Sequence, residues 1–143
     1  METILIQKIR SYLVENNPDV LLSLQNTHSV TRYLEDKVLS AIPLLEQLIS
    51  EGKPQYIIEE LCLNELTKEL RPSKSNYVKA VLEEEFLQVY GRFRKMGVLT
   101  YETMNMIDAC NPLFEQFGFT EENEDDRGLH YAVMDRIQEY LNT

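Results

Sequence analysis

The sequence predicts an all-α protein, an irregular array of six to eight helices that forms a single domain over residues 1–143. Apolar residues recur at three- and four-residue spacing along most of the chain, which is the period of a helix with one buried face. No segment alternates apolar and polar residues between hairpin signals, and no tract repeats at a fixed period. Because 143 residues suit one compact domain, we expect a single hydrophobic core.

The charge balance is strongly asymmetric. Of 24 acidic and 14 basic residues, 10 acidic and 2 basic side chains lie in residues 97–143, so this part carries −8 of the net charge of −10. An acidic excess argues against a general phosphate-binding surface. The hydrophobic content of 43% and the charged content of 27% are those of a folded domain and exclude a disordered chain.

Asparagine and proline residues divide the first half of the chain into helices. The first helix ends at Asn16, and Asn17 is expected to cap a second helix that starts at Pro18. Residues 29–50 then follow a helical pattern that Pro43 interrupts. Since proline removes a hydrogen bond and clashes with the preceding turn, this pattern predicts either one kinked helix or two helices broken near residue 42.

The middle of the chain predicts two further helices. The fourth runs from Pro54 to about Leu70. The fifth is expected to be long and continuous, capped by Ser73 or Ser75 and ended by Gly97. Its last turn is positively charged, which complements the negative end of the helix dipole, through Arg92, Arg94 and Lys95.

In the acidic last third of the chain, the sequence pattern predicts a sixth helix and a final helix. Thr100 is expected to cap the sixth helix, and Pro112 to restart the chain in a short turn that ends at Gly118. Thr120 is expected to begin the final helix. Five of the next six residues are acidic and would load the first turn of this helix with negative charge: Glu121, Glu122, Glu124, Asp125 and Asp126.

The cellular compartment is predicted from the two cysteines and from the first residues of the chain. Cys62 and Cys110 each have apolar neighbours in a helical pattern, so we expect buried free thiols and a reducing compartment. The first residues lack the basic and apolar regions of a secretory signal, and no apolar run approaches the length of a membrane span. These features favour a cytoplasmic protein without a membrane partner.

The residues that usually carry catalysis are sparse. His28 lies in an expected loop, and His130 follows Asp126 by four residues on a helix, a spacing that suits an ion pair or two metal ligands. A zinc site needs three or four ligands, and no other histidine or cysteine lies nearby in the sequence. The few glycines are not arranged to cradle a phosphate. We therefore expect no catalytic, cofactor-binding or metal-binding residues and no enzymatic activity.

One segment resembles a known group of proteins. Residues 51–86 contain a Gly-x-Pro helix start, a middle helix, a Ser-Lys break and a following helix that ends in Glu-Glu-Phe. Over these residues only, the chain resembles an uncharacterised all-helical family of small Bacteroidetes proteins, sometimes found near conjugative-element genes. The resemblance implies an all-helical fold and a mobile-element setting, and it implies no catalytic residue.

The charge layout leads to two hypotheses of function. The first is a non-enzymatic interaction or regulatory module whose acidic cluster, residues 121–126, binds a basic protein partner. The alternative is association with nucleic acid through the basic ends of the helix near 73–95, although Glu83, Glu84 and Glu85 lie between those ends. The basic residues proposed to contact phosphates are Arg71, Lys74 and Lys79 near its start and Arg92, Arg94 and Lys95 near its end. The oligomeric state stays open. Apolar candidates for an interface between copies are Tyr33, Ile49, Leu87 and Met96.

Overall fold

The computed structural model describes residues 1–143 as nine α-helices and one short 3-10 helix, without β-strands. The all-α class is confirmed, and the number of helices exceeds the six to eight expected. The 3-10 helix spans Lys68–Leu70. The α-helices are α1 Glu2–Asn16, α2 Pro18–Asn26, α3 Val30–Ser40, α4 Ile42–Ser50, α5 Gln55–Leu66, α6 Lys74–Glu85, α7 Leu87–Met96, α8 Leu99–Phe117 and α9 Arg127–Leu141.

The helices group into two compact units, Met1–Arg71 and Pro72–Thr143. Each unit has its own cluster of buried apolar residues, whereas one core was expected. The physical reason is that each half of the chain holds enough amphipathic helices to close its apolar faces among themselves. The assignment of residues 1–143 to a single domain stays a prediction.

Helix α1 organises the first unit by packing against α2, α3 and α5. Leu5, Ile9 and Leu13 follow one another at four-residue spacing and are completely buried, so they form one continuous apolar stripe. The other buried residues of this cluster come from α3, α4, α5 and the α3–α4 junction: Leu34, Val38, Ala41, Leu45, Leu48, Ile58, Cys62 and Leu66.

Pro43 produces two helices rather than one kinked helix. Helix α3 ends at Ser40 and α4 begins at Ile42, which places Pro43 in the first turn of α4. The first-turn N–H groups have no partner within a helix, so proline costs little at this position. Of the two alternatives left open by the sequence, the break near residue 42 is confirmed.

Asn17 separates α1 from α2 but does not cap α2 with its side chain. The Asn17 side chain is buried, and its Nδ2 donates a hydrogen bond to the carbonyl oxygen of Leu70 at 3.2 Å.

The fourth predicted helix, which was expected to reach about Leu70, is shorter in the structure because α5 stops at Leu66. The buried Thr67 hydroxyl donates to the Leu63 carbonyl oxygen at 2.8 Å, and the chain continues as the 3-10 helix.

In the second unit, α8 packs against α6, α7 and α9. The prediction of one long fifth helix is wrong, because the chain breaks at Phe86 into two helices, α6 and α7. Phe86 has φ −134° and ψ 50° and packs, half-buried, against the core of this unit. The gain from burying an aromatic ring outweighs the helical preference here. The buried residues of the unit are Val78, Val81, Leu82, Met106, Ile107, Cys110, Phe114, Leu129, Val133 and Ile137.

Several predicted helix ends are confirmed in this unit. The Ser73 hydroxyl accepts a hydrogen bond from the Asn76 N–H at 3.0 Å and caps α6. Gly97 and Gly118 end α7 and α8 with φ of 74° and 66°, in the left-handed region that favours glycine.

Two predictions for the last third are wrong. Helix α8 begins at Leu99 after the N-cap residue Val98, so Thr100 is not its cap, and it continues through Pro112 instead of restarting there. Pro112 is exposed, so water can satisfy the carbonyl that loses its helical donor. The final helix begins at Arg127 and not at Thr120.

We predict that Ile9→Ala lowers the free energy of unfolding by about 2–5 kcal/mol, because it removes a buried side chain and leaves a cavity. Leu39 is 64% exposed, so Leu39→Ala is the matched control and should change stability by less than about 0.5 kcal/mol. Urea denaturation followed by circular dichroism measures both. Equal losses for the two variants would contradict the assignment of α1 as the centre of its unit.

Candidate functional site

The five acidic residues singled out in the sequence lie in the connection between α8 and α9. We call residues 120–126 the acidic turn. Residues 121–125 form consecutive turns, and Asp126 is the N-cap residue of α9. The negative charge therefore precedes the helix instead of filling its first turn.

Asn123 holds the backbone of the acidic turn together. Its Oδ1 accepts a hydrogen bond from the Thr120 N–H at 2.7 Å. Its Nδ2 donates to the carbonyl oxygens of Phe117 at 2.8 Å and Gly118 at 2.7 Å. These two carbonyls belong to the end of α8, where the last carbonyls of a helix lack intrahelical donors. One neutral side chain thus satisfies three backbone groups and fixes the path of the turn.

Four carboxylates of the acidic turn have no partner within the chain. Glu121, Glu122, Glu124 and Asp125 are exposed, and none of them forms an ion pair. Asn123, the only neutral residue of the run, is turned towards the backbone and is half-buried. The turn therefore presents four unpaired negative charges to solvent from a backbone that is held in place.

Asp126 has a different role from the other four. Its Oδ2 accepts a hydrogen bond from the Leu129 N–H at 2.9 Å, which caps the start of α9. Gly128 leaves room for this carboxylate, because a Cβ at that position would lie 3.1 Å from Asp126 Oδ2. The sequence predicted all five acids as partner-binding residues, and the structure gives Asp126 a local task that the others lack.

An aromatic cluster lies next to the acidic turn. The rings of Tyr77, Phe114 and Phe119 have centroids 4.7–5.8 Å apart, and Tyr77 meets both phenylalanines edge to face. Burial is the main reason that the pKa of Tyr77 is raised to about 12, and the negative charges of Asp126 and Asp125 act in the same direction. Because these surroundings favour the neutral phenol, Tyr77 packs as an uncharged ring against Phe119, the residue directly before the acidic turn.

The two histidines lie in different surroundings. The helical spacing suggests Asp126 as the side-chain partner of His130. In the structure the partner is Glu85 instead, whose Oε1 lies 3.3 Å from His130 Nε2. His28 is exposed in the α2–α3 loop. No group of three or more histidine, cysteine, aspartate and glutamate side chains is placed to hold a metal ion.

Both cysteines are buried free thiols, as predicted. Burial raises the pKa of Cys62, and it raises that of Cys110 to about 11, with the positive charge of Arg136 acting in the opposite direction. At neutral pH both are therefore protonated and poorly nucleophilic. They serve as small apolar residues of the two cores.

The basic residues proposed for nucleic-acid contacts differ in accessibility. Arg71 donates to Oδ1 and the carbonyl oxygen of Asn64, at 2.6 and 3.1 Å. Lys74 donates to Asn111 Oδ1 at 3.0 Å and lies over the ring of Phe114. These two cations are half-buried and already engaged, whereas those of α7, Arg92, Arg94 and Lys95, are exposed.

An open groove of about 500 Å³ runs beside α1 in the first unit. Ser11, Tyr12 and Glu15 line it, and no hydrogen bond joins their side chains to one another. Its other lining residues are Ile4, Gln7, Lys8 and Leu63.

No family model matches the chain, and no curated protein or solved structure is significantly similar to it. None of the helices combines the length and the apolar character that crossing a bilayer would require.

Sequence reasoning located the acidic residues but missed Asn123. In the sequence Asn123 was only the neutral member of an acidic run, whereas in the structure it is the residue that orders the run. Asparagine side chains commonly bond to nearby backbone in turns, and this preference was the signal available.

We predict that Asp126→Ala destabilises the protein by about 0.5–2 kcal/mol, because the Leu129 N–H loses its cap. Asp126→Asn should preserve most of the stability, since asparagine caps helices as well as aspartate does. Asp125→Ala is the control and should change stability by less than about 0.5 kcal/mol. Thermal unfolding distinguishes the three variants, and an equal effect of Asp125→Ala would argue against the cap.

Proposed function

We propose that this protein is a non-enzymatic interaction or regulatory module of the cytoplasm, and that its acidic turn binds a basic protein partner. The observation that carries this proposal is the set of four exposed carboxylates without ion pairs, held on a turn whose backbone is fixed by Asn123. The residues that contact the partner are Glu121, Glu122, Glu124 and Asp125, with Asp126 positioning them through the cap of α9.

The order of the turn supports this proposal energetically. Ordering a loop on binding costs conformational entropy, and a turn that is already held by side-chain hydrogen bonds avoids much of that cost. Its unpaired carboxylates also create a local negative field that attracts a basic surface and raises the rate of encounter. Lysine- and arginine-rich segments are the partners that such a field selects.

Nucleic-acid association remains the alternative function. The three exposed cations of α7 favour it, since they are free to contact phosphates. Three features weigh against a phosphate-binding surface that includes both basic ends of the helix near 73–95. Lys74 is engaged with Asn111, α6 and α7 are separate helices, and the exposed Glu83, Glu84 and Glu85 precede the break. We therefore rank the acidic turn first.

The proposal predicts that a basic protein is captured from native-host lysate by the wild-type protein, with nuclease present, and is lost when the turn is neutralised. Asp126 should be left unchanged in the neutralised variant, because its replacement would mix loss of binding with loss of stability. The substitutions are Glu121→Gln, Glu122→Gln, Glu124→Gln and Asp125→Asn.

A second variant controls for net charge. It removes four other exposed carboxylates that form no ion pairs, through Glu35→Gln, Glu46→Gln, Glu83→Gln and Glu84→Gln. We expect this control to capture the same protein as the wild type. Equal capture by the wild type and the turn variant would refute the role of the turn, and capture that disappears with nuclease would favour the nucleic-acid alternative.

A further inference from the structure

Helix α7 packs only partly against its unit and leaves apolar side chains exposed. It contains no fully buried residue, and only its half-buried Val89, Tyr90 and Phe93 pack against the core of the second unit. Leu87 and Met96, at its two ends, are 66% and 65% exposed. An apolar side chain at each end of one short helix leaves surface that a partner could cover.

The exposed charges of α7 are all positive. Arg92, Arg94 and Lys95 are exposed, and the helix contains no acidic residue. None of the three takes part in an ion pair, and Arg92 and Arg94 lie only over aromatic rings of their own helix, those of Phe93 and Tyr90. In a chain with a net charge of −10, this helix is therefore a concentrated positive surface.

Gly91 lies in the middle of the exposed side of α7. A Cβ at this position would meet no atom within 4 Å, so packing within the chain does not require glycine. Its φ is not positive, so the backbone does not require it either. Glycine in a helix interior costs about 1 kcal/mol relative to alanine. Together with Arg94 and Lys95, Gly91 lines a shallow depression of about 250 Å³, where another chain can approach the helix closely.

The second unit thus holds both halves of a charged contact. The acidic turn has four carboxylates without ion pairs, and α7 has three cations without ion pairs. Within the chain, no ion pair joins the carboxylates of the acidic turn to the cations of α7. At physiological salt the screening length is about 8 Å, so opposite charges in contact outweigh repulsion between the more distant acidic surfaces of two copies.

We propose that α7 binds the acidic turn of a second copy of this chain. In a two-fold dimer each copy offers its turn to α7 of the other, so the same contact forms twice. Leu87 and Met96 would be covered at the edges of the contact, and the depression at Gly91 would receive the incoming turn. This inference rests on the proposed function, because it identifies a basic surface, α7 of a second copy, as the partner of the acidic turn.

Sedimentation velocity of the full chain at increasing concentration tests the proposal. We expect concentration-dependent dimers at about 0.05 M salt that dissociate at about 0.5 M salt, because exposed ion pairs are screened. Reversing the charges of α7 should raise the dissociation constant at least about tenfold, since the contact forms twice and its six exposed pairs together contribute about 1.4 kcal/mol or more. This α7 variant carries Arg92→Glu, Arg94→Glu and Lys95→Glu.

A mixing experiment identifies the two surfaces as partners. The reversed-turn variant carries Glu121→Lys, Glu122→Lys and Glu124→Lys. Each variant alone should be monomeric, and an equimolar mixture should dimerise, because the acidic α7 of one then meets the basic turn of the other. The control for net charge reverses three exposed cations without ion pairs in the first unit, through Arg10→Glu, Lys53→Glu and Lys68→Glu, and should dimerise like the wild type.

Three results would overturn the inference: a wild-type chain that is monomeric at every concentration and low salt, an equal loss of dimers in the net-charge control, or a mixture that stays monomeric. Salt-sensitive DNA binding by a monomeric wild type, lost in the α7 variant, would assign α7 to nucleic acid instead. In each case, turn-dependent capture of a different basic protein from lysate would leave the proposed function standing. If the wild type neither dimerises nor captures a protein through its turn, both the dimer and the proposed function are refuted.

Discussion

The acidic turn depends on the side-chain amide of Asn123. Five negative charges within six residues repel one another, so an unsupported loop of this composition would extend into solvent. Asn123 opposes this tendency by bonding to the N–H of Thr120 and to the carbonyls of Phe117 and Gly118. The amide offers a donor and an acceptor at once, which a carboxylate at that position could not do at neutral pH. The neutral residue is therefore what makes the charged surface possible.

The ends of the turn are secured by the helices that it joins. Gly118 turns the chain out of α8 in a left-handed conformation, and Asp126 caps α9 through the Leu129 N–H. Between them, the ring of Phe119 packs against Tyr77 and Phe114. Interactions of three kinds, a backbone conformation, a cap and aromatic packing, thus fix the two ends, while the four carboxylates stay exposed and without ion pairs.

The fold class, the glycine ends at Gly97 and Gly118 and the Ser73 cap followed from local chemistry, so the sequence predicted them correctly. The break at Phe86 could not be predicted in this way, because it depends on burying a ring against helices distant in sequence and carries no glycine or proline signal. The continuity of α8 through Pro112 likewise depends on which side of the helix faces solvent. The acidic residues were identified from composition, whereas their separation into a cap and four free carboxylates required the geometry of the turn.

Hydrogen–deuterium exchange of the Thr120 amide, followed by NMR in the wild type and in Asn123→Ala, tests the central claim most directly. If Asn123 orders the acidic turn, this amide is protected in the wild type and exchanges about tenfold faster in the variant, since one hydrogen bond contributes about 0.5–1.5 kcal/mol. The amides of Ile107 and Val133, buried in α8 and α9, should keep their protection in both proteins. A Thr120 amide that exchanges at the unfolded rate in the wild type, or that is unaffected by Asn123→Ala, would contradict the account.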